Sequence, residues 1–173
     1  MTNHPATMYA YHVWANQVIL ERIRELPSEV LNLEVNSSFP TLAHALSHIF
    51  AVDKMWYLVV TGTGMQEAFE ECRPLNTSIL DTVEPYMDLY GELSGQFQQW
   101  LGQRTALDLE QTLLLDNPFA GVRQTRLSEM LFHLVNHGTY HRGNISTMLR
   151  QLGYASAMND YTFFWYQESM DAI

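Results

Sequence analysis

Most of the seven histidines in this chain stand in two clusters, His44 with His48 and His133 with His137 and His141. A four-residue step turns an α-helix by about 400°, so each such pair shares one face. This is the spacing by which one helix offers two imidazoles to a single metal ion. Neutral imidazole suits zinc, nickel, copper or ferrous iron. An ion held by three such rings keeps its full charge and an open position, and it can polarise a carbonyl or lower the pKa of a bound water or thiol.

Spacing alone does not say which way the rings point. On a helical wheel with Leu134 at zero, Leu127, Met130, Ile145, Met148 and Leu152 all fall within about 40°. His141 lies about 20° away, His137 about 60°, and His133 about 100°, at the edge of the apolar stripe. His137 and His141 therefore point inward. An unpaired buried polar group costs about 1–3 kcal/mol, and two protonated rings one turn apart would repel. A metal ion removes both problems by taking the lone pairs. The competing reading is a pair of hydrogen-bonded core histidines; a third ligand from another helix would separate the two. His48 lies near the face formed by Ala45, Val52, Trp56 and Val59, and His44 lies further off it. That preference is mild, because the surrounding segment is apolar nearly all round.

Four helices are expected to position these residues. The first spans about Thr7 to Leu26 and ends at Pro27-Ser28. The second spans about Pro40 to Thr61, with Ser38 as N-cap and Gly62 and Gly64 as stops. Gly62 to Asn76 reads as a long connection. The third helix spans about Ser78 to Gly102, with Pro85 implying a later start or a kink. Asp108 to Thr125 reads as a short hairpin or ordered loop around Asp116-Asn117-Pro118-Phe119-Ala120-Gly121. The fourth helix spans about Leu127 to Leu152 and stops at Gly153. The aromatic tail, Asn159 to Tyr166, is expected to pack back as a short helix or extended cap.

The 173 residues fit one domain, and 47% hydrophobic content is enough for a core without disulfide or metal. One cysteine, Cys72, excludes an intramolecular disulfide and sulfur-rich metal sites; in its polar stretch it reads as an incidental thiol. Nineteen acidic against nine basic residues give a formal charge of -10. That argues against nucleic acid and against anionic membrane surfaces as partners. No window reaches the ~18 apolar residues of a membrane span. Met1 to Ala10 lacks the pattern of a signal peptide, so a cytoplasmic location is expected.

The block His133-Leu134-Val135-Asn136-His137-Gly138-Thr139-Tyr140-His141-Arg142-Gly143-Asn144, followed by Met148-Leu149-Arg150-Gln151-Leu152-Gly153, resembles the last-helix signature of the DinB/YfiT-like family. Asn144 stands where that pattern usually has Gln. His48, Asp53 and Trp56 resemble the family's second-helix pattern of a histidine, an acidic residue at plus five and Trp at plus eight. Counting back from Trp56 selects His48 over His44. Trp14-Ala15-Asn16 and Asp160-Tyr161 also look family-like. The resemblance implies an all-α, antiparallel four-helix bundle with a metal site formed by His48, His137 and His141. It further implies nickel or zinc as the metal, homodimers, and thiol-dependent transferase or isomerase chemistry in members whose activity is assigned.

Two classes of function follow. One is a metal-dependent enzyme of transferase, isomerase or hydrolase type, with a low-molecular-weight thiol as co-substrate. The other is a non-catalytic metal-binding bundle in which the ion is structural or the site holds a small ligand. A site sealed by Trp56 and the aromatic tail would favour the second. Asp53 and Asp160 are candidate acceptors for the outer nitrogens of the ligating rings. His4 and His12 read as ordinary, Arg142 as half of a structural ion pair, and Tyr140 as a packing residue. Proton competition at the imidazoles is expected to weaken metal binding as pH falls through roughly 6.

Overall fold

In the computed structural model, which describes residues 4–170, four long helices pack in a ring around the chain's apolar residues. They are α1 (His4–Arg24), α2 (Leu42–Val60), α4 (Glu84–Gly102) and α5 (Leu127–Gln151). Helices α1 and α2 each pack on both α4 and α5. Two shorter α-helices are also present among the described residues, α3 (Met65–Cys72) and α6 (Tyr161–Met170). A two-stranded antiparallel sheet, β1 (Thr112–Asn117) and β2 (Gly121–Arg126), precedes α5. The chain is thus mostly helical, with a sheet where the sequence predicts a hairpin or ordered loop.

The helix boundaries follow local chemistry. Thr41, not Ser38, caps α2: its hydroxyl accepts from the His44 N–H at 3.3 Å, so the helix starts at Leu42 and Pro40 lies outside it. Gly62, at φ +115°, ends α2 in a conformation only glycine adopts without strain. The connection from Gly62 to Asn76 is not irregular. It holds α3, which buries Met65, Ala68 and Cys72. Helix α4 begins at Glu84 rather than Ser78 because Pro85, lacking an N–H, fits the first turn. Residues before it are held by Tyr86, whose hydroxyl accepts from the Leu80 N–H at 3.2 Å.

The hairpin pairs Thr112 with Arg126 through Asn117 with Gly121. Its turn is fixed by Asn117 Oδ1, which accepts from the N–H groups of Phe119 and Ala120 at 2.8 and 3.0 Å. Strand β2 runs straight into α5, whose first turn is held by Glu129 accepting from the Arg126 N–H at 3.1 Å. Gly153, at φ +88°, ends α5.

Two clusters of buried residues make up most of the core. One gathers Ile19, Leu46, Ile49, Tyr86, Ile145 and Met148, and the other Trp56, Phe97, Met130, Leu131 and Leu134. Tyr90 ties α4 to α2 by donating to the Leu46 carbonyl at 2.8 Å. The aromatic tail packs back as α6, with Tyr161 and Phe164 against Tyr11 of α1. No helix among the described residues is long and apolar enough to cross a membrane.

Candidate metal centre

His48 from α2 and His137 and His141 from α5 come together, each offering one ring nitrogen within 4.8 Å of the others. His137 Nε2 lies 3.2 Å from His48 Nε2 and 3.0 Å from His141 Nε2. His44 is turned away and bonds at Nδ1 to the Thr41 hydroxyl at 2.8 Å. His133 stays outside the cluster, with its ring edge-on to Trp56.

The donor set fits a divalent transition-metal ion. An sp² ring nitrogen carries either one proton or one lone pair in its plane, so His137 Nε2 cannot form two good hydrogen bonds at once. Three nitrogens on a tetrahedral ion with ~2.0–2.1 Å legs stand roughly 3.3 Å apart, and the two spacings that His137 Nε2 makes need to open by only a few tenths of an ångström. Burial, followed by the neighbouring His141 and His48, pushes the His137 pKa down to about 3. Burial and His48 push His141 down to about 4. Both rings are therefore neutral ligands at pH 7. Protons therefore compete for these two rings only below the pH of roughly 6 expected from free imidazole.

The outer nitrogens of His48 and His141 face asparagines rather than the expected carboxylates, while His137 Nδ1 is buried with no hydrogen-bond partner among the described residues. His48 Nδ1 donates to Asn76 Oδ1 at 2.8 Å, which leaves the Nε2 lone pair for a metal. The Asn144 amide lies 3.3 Å from His141 Nδ1. With its oxygen turned inward it accepts the proton that a ligating His141 must carry there. The Asn144 signal was readable, because a residue three after His141 shares its face. Asn76 lies in the connection after α3 and carries no such signal. Phe39 also joins unannounced, with its ring 5.3 Å from those of both His48 and His141. The tail packs on α1, where Tyr161 meets Tyr11 and Phe164 meets Tyr11 and Trp14, while Trp56 meets His133. Tyr140, expected to pack, is 64% exposed and meets His141 edge-on.

Asp53 instead belongs to a second buried assembly, and so does His12, which is far from ordinary. Arg142 Nη1 donates to His12 Nδ1 at 3.3 Å and to Asn16 Oδ1 at 2.8 Å. With its lone pair at Nδ1 thus used, His12 donates from Nε2 to Asp53 Oδ2 at 2.8 Å. The ion pair expected of Arg142 is thus not direct but runs through His12. Gly138 makes room for this: a Cβ there would fall against the His12 ring, 2.5 Å from Nδ1, and 2.8 Å from Arg142 Nη1. Cys72, rather than lying in a polar loop, is buried, and burial pushes its pKa up to about 11.

The DinB family model matches residues 1–171. Protein DinB of Bacillus subtilis (strain 168) is 41% identical over 165 residues, covering 95% of each chain. A crystal structure of a DinB-like protein from Bacillus cereus ATCC 10987 superposes with a TM-score of 0.64 at 24% identity, covering 87% of this chain and 91% of that one. At that identity the match speaks for the fold alone.

Proposed function

The chain belongs to the DinB family, and from that premise we propose that it holds one divalent metal ion, nickel or zinc, between His48, His137 and His141 and acts as a metal-dependent enzyme. The supporting observation is the convergence of ring nitrogens from two helices: His137 Nε2 lies 3.2 Å from His48 Nε2 and 3.0 Å from His141 Nε2, and all three rings offer a nitrogen within 4.8 Å of the others. We read the ring of α1, α5, α2 and α4 as an antiparallel four-helix bundle, and the whole chain as one domain.

Bound there, the ion would supply a Lewis acid for a carbonyl group or for a thiol or water whose pKa it lowers. His137 and His141, kept neutral by burial, hold their lone pairs ready without prior loss of a proton. Asn76 fixes the His48 tautomer. His48 and His137 are only half-buried, which leaves an approach from solvent for a small substrate and a low-molecular-weight thiol. Transfer or isomerisation with such a thiol is the reaction class we assign, with hydrolysis next. The Phe39 ring over His48 and His141 favours a second reading, in which the ion is non-catalytic and ties α2 to α5.

The test begins with chelator-stripped protein, reloaded with zinc or nickel and analysed for metal content. About one equivalent per chain is expected, and failure to take up a stoichiometric ion ends the proposal. Loaded protein is then screened against electrophiles with several cellular thiols. Turnover that vanishes on stripping supports the enzyme, whereas a raised melting temperature without turnover supports the structural reading. Homodimerisation belongs to the same proposal and is checked by light scattering.

A further inference from the structure

Between α1 and α4 lies a cleft of about 200 Å³ that contains none of the three metal-centre histidines. Its deep walls include Tyr9, Leu20, Tyr90 and Leu93, and at the same depth lie His12 and Asp53. Its rim carries Gln17, Gly91 and Ser94. An engineered apolar cavity of about 150 Å³ accepts benzene. This volume therefore holds one ring-sized group and a short polar arm.

Asp53 gives the cleft its character. The residue is 6% exposed, and its Oδ2 accepts from His12. Its Oδ1 is shielded from solvent and has no hydrogen-bond partner among the described residues. A buried carboxylate oxygen without a donor is unfavourable, and the buried cation Arg142 directs Nη1 to His12 and Asn16 and Nη2 to Thr139. Burial and the Asp53 charge raise the Tyr9 pKa, so that phenol stays protonated and adds no second negative charge. A carboxylate with a free acceptor, set among aromatic and aliphatic walls, is complementary to a small organic cation: the ammonium meets the oxygen and the aromatic rings, and the hydrocarbon meets the apolar walls. The net charge of -10 draws the same class of ligand toward the surface.

We propose that this cleft is a second ligand site, which takes a small primary ammonium compound carrying one apolar group, with the ammonium donating to Asp53 Oδ1. It does not depend on metal binding at the three histidines.

Calorimetric titration of the full chain with benzylammonium, benzyl alcohol and benzoate tests this, on chelator-stripped and on zinc-treated protein. Saturable one-to-one binding of benzylammonium is expected in both preparations. Benzyl alcohol should bind roughly tenfold more weakly, and benzoate not at all. Gly91→Leu blocks the rim from a helical position where an added Cβ meets nothing within 4 Å. It should remove binding while leaving the helical circular dichroism unchanged. Asp53→Asn should erase the preference for the cation over the alcohol. Equal affinity for cation and alcohol overturns the proposal, as do absence of saturable binding, binding that survives Gly91→Leu, and binding seen only with zinc. The three-ligand comparison on the unaltered chain decides the matter even where a variant fails to fold. Metal uptake is read separately, so failure here leaves the metal-centre reading untouched.

Discussion

Helix α5 carries two assemblies side by side, one half-buried and one buried. Each metal-ligand candidate on it is followed by a residue of the other assembly: His137 by Gly138, and His141 by Arg142. One residue turns the helix by about 100°, so the same four-residue spacing serves two neighbouring faces. On one face, imidazole nitrogens of like character point at one another, and only a shared cation satisfies them all. On the other, His12 has a donor at one nitrogen and an acceptor at the other, supplied by Arg142 and Asp53. The difference teaches that burial alone does not mark a histidine as a ligand. What marks it is whether the protein's own groups already satisfy both ring nitrogens.

The sharpest way to break the comparison is to exchange the fates of the two faces. His137→Ala should abolish stoichiometric metal uptake, because its Nε2 is the atom that both other rings approach; elemental analysis and a zinc titration read the loss. Arg142→Ala should do the reverse. It removes the cation from a buried network and should destabilise the fold by about 3–5 kcal/mol in urea titration, with uptake by the folded protein kept. Should Arg142→Ala abolish uptake while leaving stability intact, the two faces are one site. Gly138→Ala comes next, at about 1–3 kcal/mol of destabilisation, since the new methyl group overlaps the His12 ring. An unchanged midpoint would mean that α1 moves away from α5 freely.

How far each assembly was legible follows from sequence separation. The His137/His141 pair is local, so the wheel placed it, and the family-like spacing to Trp56 picked His48. The hairpin was legible from its turn residues, and the late start of α4 from Pro85. His12 was not, because its partners Asp53 and Arg142 are 41 and 130 residues away and share no periodic pattern with it. Asp53 was misplaced for a reason the sequence did contain. A five-residue step from His48 turns about 140° around α2, which points the carboxylate away from the metal-centre face. Helix α3 was missed because eight residues bury too little for a clear period. The Ser38 cap was wrong by one turn, with Thr41 nearer the apolar run.

Acid should separate the faces by a smaller margin. An unfolded histidine takes its proton near pH 6.5, whereas folded, metal-free His141 and His137 do so only near 4 and 3. Across that window the unfolded chain binds more protons, so stability of the metal-free protein falls as pH drops from 6.5 and levels off below about 3. His137 is partly exposed and His141 is buried beside it at the site's open side, so solvent screening discounts the shifts to about 2 kcal/mol in all. His137→Ala should flatten this slope. A stability that rose on acidification would show that the rings gain protons on folding and are not neutral ligands.

The smallest expected effect tests how the metal-centre face is held in register. Asn76 donates from Nδ2 to the Arg73 carbonyl at 3.3 Å, so its amide is anchored with the oxygen toward His48. That oxygen selects the tautomer with the proton on Nδ1 and the lone pair on Nε2. Asn76→Ala removes the selection without touching a ligand. It should weaken zinc binding about tenfold, with little change in the unfolding midpoint of the metal-free protein. Asn76→Asp, a stronger acceptor at the same place, should restore or exceed the original affinity. A stepwise loss in alanine and recovery in aspartate would tie the effect to the His48 proton. If both variants bind zinc as the unaltered chain does, His48 owes its orientation to Phe39 and helix packing alone.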